Sequence, residues 1–256
     1  MTGTAAFCAR PSDRDHEVHR DSRKRTGAVT LLSAFLLITG CAPSSGEAEN
    51  TQVSLGAQTD GNLPVGQGFD FYVLSLSWSP SYCEAEGKDA NRQQCSAARP
   101  YAFVVHGLWP QFERGYPENC RTEEPDVSNA TLRTLYDLMP SAALIRHQWR
   151  KHGSCAGLSR GGYFSVLRAA RERTSIPVEF KRLDDYRTLD PAAAESAFLK
   201  ANPELAADGI AVTCDNRYLR EVRICMTKEL SFRECPEVDR RACGLQKVVM
   251  PPVRGG

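Results

Sequence analysis

The sequence predicts an α+β domain in which a central antiparallel β-sheet packs against several α-helices and is stabilised by disulfides. Three observations carry this reading. Four segments rich in aromatic and β-branched residues read as strands, helical segments fall between them, and eight cysteines without a CxxC pair are spread over the same stretch. A chain of 256 residues with 41% hydrophobic content has enough apolar material for one core of ordinary size.

The N-terminal region reads as lying outside that domain. Ser22-Arg23-Lys24-Arg25 is a basic cluster followed by the apolar run 28–38, which is too short to span a bilayer and has the proportions of a secretory signal. The run ends in Ile38-Thr39-Gly40-Cys41. An aliphatic residue, two small residues and a cysteine resemble a bacterial lipobox, where the thiol is lipidated and the cysteine becomes the new first residue. An ordinary cleavable signal with a fortuitous cysteine is the alternative. Residues 1–21 precede the basic cluster, an unusual lead-in for a signal, and Val18 is an alternative start. The leader is therefore placed at 1–40. Positions 41–67 follow as the lipidated Cys41 and a flexible tether, rich in Ser, Gly, Glu, Gln, Asn and Thr and without an aromatic residue to repay the entropy of ordering. The folded domain is expected over 68–256.

Within the domain, strands are expected at 69–78, 103–106, 210–214 and 218–227. In the last of these, Leu219, Glu221 and Arg223 alternate against Arg220, Val222 and Ile224. The segment 128–139 reads as a helix with Leu132, Leu135 and Leu138 at three-residue spacing, stopping before Pro140. A second helix is expected at 141–152, closed by Gly153, a third at 163–173, and a fourth opened by Asp190-Pro191, a good cap followed by a good first helical residue.

Of ten cysteines, Cys8 and Cys41 precede the domain. The other eight are Cys83, Cys95, Cys120, Cys155, Cys214, Cys225, Cys235 and Cys243. An even number without metal-ligand spacing suits disulfides in an oxidising compartment better than a zinc site, and counting alone leaves the pairing open. Removing the six basic and four acidic residues of positions 1–40 from totals of 32 and 31 leaves 26 and 27, so the exported part is nearly neutral. A partner held by a long polybasic groove is not expected.

The histidines point to chemistry. His16 and His19 fall in the leader, and the other three lie in two short aromatic, glycine-containing segments: Phe103-Val104-Val105-His106-Gly107-Leu108-Trp109-Pro110 and His147-Gln148-Trp149-Arg150-Lys151-His152-Gly153-Ser154-Cys155. On a helix of about 100° per residue, His147, Lys151, Gln148 and His152 fall near about 0°, 40°, 100° and 140°, one polar face able to grip a phosphate. A polar face touching only water is the plainer alternative. A zinc hydrolase would place two histidines at i and i+4 with a Glu beside the first, whereas here the spacing is five and the neighbour is Gln148.

Together the two segments resemble the signature blocks of the ribonuclease T2 family, His-Gly-Leu-Trp-Pro and His-Glu-Trp-x-Lys-His-Gly-Thr-Cys. The similarity extends from about Phe69 through Cys243 and includes Phe71-Tyr72-Val73-Leu74-Ser75-Leu76-Ser77-Trp78-Ser79-Pro80. The resemblance implies an α+β fold and cleavage of single-stranded RNA through a 2′,3′-cyclic phosphate to 3′-phosphate ends, with no metal and no cofactor. It implies His152 as the general base on the ribose 2′-OH, His106 as the general acid for the departing 5′-oxygen, Lys151 as the stabiliser of the phosphorane and His147 as a phosphate ligand. It also implies the pairings Cys83–Cys95, Cys120–Cys155, Cys214–Cys243 and Cys225–Cys235.

Two departures stand out. The family's second-block Glu is Gln148, whose amide can orient the His152 imidazole but cannot support its charged form, so weakened activity follows. An acidic residue often stands one position after the first-block proline and helps select the base; here it is Gln111. Trp109 and Tyr116 offer stacking surfaces for bases, or are ordinary core and rim aromatics. The expected partner is single-stranded RNA, with membrane contact only through the lipid at Cys41 and no obligate protein partner. The expected location is the periplasm or cell surface, at the outer membrane if the source has two. A T2-like RNA-binding lipoprotein without turnover and a metal-dependent phosphoesterase are the competing readings; the intact His106, Lys151 and His152 oppose the first, and the lack of carboxylates in the second block opposes the other.

Overall fold

The computed structural model describes residues 63–96, 100–124 and 126–253. The expected leader, the lipobox cysteine Cys41 and the tether up to residue 62 lie outside the described residues. Near the start of the described chain the Gln67 N–H donates to the Ala156 carbonyl (2.9 Å).

Four strands form one antiparallel sheet: β1 (Phe71–Trp78), β2 (Phe103–Gln111), β4 (Ile210–Cys214) and β5 (Leu219–Met226), in the order β2-β1-β5-β4. Two short strands, β3 (Arg187–Leu189) and β6 (Val248–Met250), pair antiparallel beside it. The central strand β1 is covered on both faces. Tyr72, Leu74, Leu76 and Trp78 enter the main core, while Phe71 and Val73 point the other way into a small cluster with the Cys225–Cys235 bridge. Seven α-helices accompany the sheet among the described residues: α1 (Ser79–Glu86), α2 (Arg92–Cys95), α3 (Asn129–Arg133), α4 (Ala142–Lys151), α5 (Arg160–Arg173), α6 (Pro191–Ala201) and α7 (Pro236–Asp239). Ile145 and Trp149 of α4, Tyr163, Phe164 and Leu167 of α5 and Phe198 of α6 fill the main core against the sheet. This is the α+β, disulfide-bridged architecture expected, and the four bridges join Cys83–Cys95, Cys120–Cys155, Cys214–Cys243 and Cys225–Cys235.

The elements differ from expectation where tertiary bonds compete with local ones. The helix expected at 128–139 runs only from Asn129 to Arg133, although the Ser128 hydroxyl caps it by accepting from the Thr131 N–H (3.2 Å). Beyond Arg133 two carbonyls are taken by distant segments, Thr134 O accepting from Arg168 Nη2 (2.6 Å) and Leu138 O from the Val105 N–H (2.9 Å), while Leu135 O closes only an isolated turn with the Leu138 and Met139 N–H groups. Leu132, Leu135 and Met139 are still buried, so the apolar spacing reports burial rather than a continuous helix. Helix α5 begins three residues before the expected start, because the Ser159 hydroxyl accepts from the Gly162 N–H (3.1 Å) and carries the helix through Gly161-Gly162. Strand β2 continues past His106 to Gln111. It lies at the sheet edge, where Pro110 with no N–H is tolerated. Helix α1, opened by Pro80, was not anticipated.

Candidate active site

The sheet register places the first histidine. Ser75 of β1 pairs with Gly107, but the next residue, Leu76, pairs with Val105, so His106 is the extra residue of a β-bulge. A bulge re-aims its side chain. His106 turns over β1 toward β5, where Ser75 and Ser77, the β1 residues paired with Arg223 and Glu221, present only hydroxymethyl groups. Across that gap His106 Nδ1 meets Glu221 Oε1. Glu221 Oε2 accepts from Nε (2.9 Å) and Nη2 (2.7 Å) of Arg223. Burial pushes the Glu221 carboxyl up, but His106 and Arg223 outweigh it and hold it down at about 2.

The second block lies on α4, as expected, but the helix ends at Lys151 and His152 is its C-terminal cap, with its N–H bonded to Gln148 O (3.0 Å). Residues Gly153–Cys155 continue as a 3₁₀ turn rather than stopping at the glycine. The cap is held tightly. A side chain at Gly153 would begin 2.5 Å from the Trp149 ring and 2.8 Å from the Tyr163 ring. The Cys120–Cys155 bridge and the Asn119 N–H, donating to Lys151 O (2.8 Å), fasten the loop after β2 to this end of α4.

His152 is only 7% exposed and its Nδ1 is buried without a hydrogen-bond partner. Burial, reinforced by the charges of Lys151, His106 and His147, pushes its pKa down to about 3. His147, more open, is also lowered, by burial first and then by Lys151, Arg150 and His106. Lys151 Nζ lies 3.4 Å from Glu118.

Gln148 does not orient His152 in the way expected from sequence. Its Oε1 accepts from Trp109 Nε1 (2.8 Å), a bond that requires Gly107, since a side chain there would begin 2.2 Å from the same oxygen. The Trp109 ring is thereby fixed 5.4 Å from the rings of both His106 and His152, with the Arg223 guanidinium 5.2 Å from its centroid. Tyr116 is exposed, its ring 6.5 Å from that of His152, and Gln111 turns its amide back onto the Pro110 carbonyl (2.9 Å).

All eight residues singled out from the sequence, His106, Trp109, Gln111, Tyr116, His147, Gln148, Lys151 and His152, line one open cavity of about 340 Å³. A second cavity of about 430 Å³ adjoins it and shares His106, His147 and Glu221, with Ser77, Tyr82 and Leu144 on its far side. Glu221 and Arg223 were missed as site residues. The alternation of β5 put them on one face, yet nothing in it announced that this face meets His106. Among the described residues no group of three or more His, Cys, Asp or Glu side chains is disposed to hold a metal ion.

Residues 69–235 match the model of the ribonuclease T2 family. The chain belongs to the ribonuclease T2 family. A ribonuclease of Aeromonas hydrophila is 38% identical over 165 residues, covering 63% of this chain and 73% of its own. A probable ribonuclease of Haemophilus influenzae is 33% identical over 183 residues, 65% of this chain and 61% of its own. Among solved structures, an RNase-related protein from Calystegia sepium superimposes with a TM-score of 0.58 at 22% identity, over 73% of this chain and 99% of its own. RNase NT, solved in complex with 5′-AMP, gives 0.56 at 24% identity over 73% and 100%. At such identities the structural likeness speaks for the T2 fold. The family match and the named relatives make the chain a T2-type endoribonuclease.

Proposed function

We propose that this T2 ribonuclease cleaves single-stranded RNA by transphosphorylation, with His152 as general base and His106 as general acid. The observation that carries the reading is the contrast between two imidazoles on one cavity. His152 is buried, unbonded at Nδ1 and pressed toward its neutral form, which can accept a proton; His106 has an ionised carboxylate at Nδ1, which stabilises a positive ring. In this reading His152 takes the 2′-OH proton as that oxygen attacks phosphorus. His106 gives a proton to the 5′-oxygen as the P–O bond breaks, leaving a 2′,3′-cyclic phosphate that water then opens to a 3′-phosphate. Each transfer is worth about 10²–10⁴-fold. Lys151 offsets the charge of the phosphorane and His147 holds its phosphate oxygens, while Gln148 acts by fixing Trp109. Trp109 and Tyr116 offer faces on which bases stack, and Gln111 lies where base choice is made.

Incubating the exported domain with RNA in a chelator tests this. Cleavage is expected, together with loss of turnover but retained RNA binding in His106→Ala and His152→Ala, and resistance of a substrate carrying 2′-deoxyribose at the cut. Near-normal rates in either variant, rescue only by added metal, or comparable cleavage of DNA would overturn the mechanism.

The same reading places the protein outside the cytoplasm, in the periplasm or on the cell surface, held by a lipid at Cys41. Four disulfides in a small domain support an oxidising compartment.

A further inference from the structure

We propose that Glu221 and Arg223 form a positioning pair that sets His106 as the proton donor, Glu221 by orienting the ring and stabilising its positive charge, Arg223 by limiting that effect. The proposal rests on His106 being the general acid.

The geometry is specific to this arrangement. His106 is the unpaired residue of a bulge, so the ladder leaves its ring free to turn, and the contact that fixes it is made across an intervening strand to Glu221. Glu221 is 9% exposed, which makes an ionised carboxylate costly unless it is paired on both oxygens. It is so paired: Oε1 faces His106 Nδ1, and Oε2 takes two bonds from Arg223. With Nδ1 bound as donor to Glu221, the proton to be transferred resides on Nε2, the nitrogen on the far side of the ring. As the P–O5′ bond breaks, its electron pair goes to O5′, the Nε2 proton follows, and His106 is left neutral with Nδ1–H still donated to Glu221. Glu221 stays ionised throughout and touches no substrate. Arg223 draws on the same carboxylate and so shares its charge with the ring.

Other charged groups share the two cavities with His106, among them Arg241 in the first and Glu86, paired with Arg220, in the second. Helix α4 presents His147 and Lys151 with His152 at its end; Arg220 of β5, paired with Glu86 of α1 (3.4 Å), borders the second cavity. Glu221 is thus the carboxylate in direct contact with the ring.

Two variants distinguish this role from a structural one, because their effects have opposite sign. Glu221→Gln removes the negative charge, so His106 should lose its proton earlier and the basic limb of the kcat/KM profile should move to lower pH. Arg223→Gln leaves Glu221 wholly to His106 and should move that limb to higher pH. On a dinucleoside phosphate, Glu221→Gln should lower kcat about tenfold or more, short of the loss of about 10²–10⁴ expected when a whole proton transfer is removed, with little change in KM. On a nucleoside 3′-(4-nitrophenyl phosphate), whose leaving group departs without a proton, the loss should shrink to a few-fold. If Glu221→Gln does not fold, Glu221→Asp, with its charge retained and its reach shortened, is read for the same difference between leaving groups. Equal losses on both substrates, limbs that do not move, or limbs that move together would overturn the proposal. A His106→Ala control that still cleaves the dinucleotide at the normal rate would instead overturn the general-acid assignment beneath it.

Discussion

His152 stands at the end of α4 with one ring nitrogen buried and unbonded, and three neighbouring cationic or protonatable groups oppose a charge on it. As the proposed general base, His152 keeps its unprotonated form far into the acid range. The acidic limb of kcat/KM should therefore lie well below the ordinary histidine value of 6.5. Gln148, one turn earlier, lines the same cavity and bonds Trp109. A carboxylate at this position can still accept from Trp109 while adding a negative charge near the imidazole, which favours its protonated form. In Gln148→Glu the acidic limb should accordingly move to higher pH. Measuring kcat/KM from acid to neutral pH in both proteins checks this; a limb that stays in place would mean that the side chain at 148 exerts no field on His152.

Strand β2 carries His106 and helix α4 ends at His152, and small residues decide how closely these elements approach. Gly107 admits the Gln148 amide against β2, and Gly153 lets the chain leave α4 between Trp149 and Tyr163. These two rings are buried, and Tyr163 is further held by donating its hydroxyl proton to Leu108 O (2.8 Å), so neither can yield cheaply. Gly153→Ala should lower stability by about 1–3 kcal/mol, the usual cost of overpacking. It should also lower kcat, because His152 is the adjoining residue. Denaturant unfolding with activity measured on the same preparations is the check, and an unchanged midpoint would mean that the cap has more room than its geometry implies.

At the scale of the whole molecule the bridges tie together parts that the sheet leaves separate. Cys120–Cys155 joins the loop after β2 to the end of α4, and Cys225–Cys235 covers the face of β1 next to the site. Such bridges act largely by restricting the unfolded chain, and they persist best in an oxidising compartment. If the chain is anchored through Cys41, radioactive fatty acid should label the wild-type protein but not Cys41→Ser, and the variant should be released in soluble form. An unlabelled, freely soluble wild type would favour ordinary secretion.

Much of the fold, and the residues that line the candidate site, were legible in the sequence because they depend on local order. β-Branched composition marked β4, alternation marked β5, Asp190-Pro191 marked α6, and the block around His147 placed polar groups along α4 and at its end, where His152 caps it. The resemblance to a family supplied roles and cysteine pairings that residue spacing left open. What only the tertiary structure decided arises from contacts between distant segments. Thr134 and Leu138 gave their carbonyls to Arg168 and Val105, ending α3 early despite its leucine spacing. The bulge at His106 depends on the register with β1, and the meeting of His106 with Glu221 depends on two serines in the strand between them. Composition and periodicity assign residues to faces. Which charged group on one face meets which on another follows from strand order and register, set by packing over the whole domain.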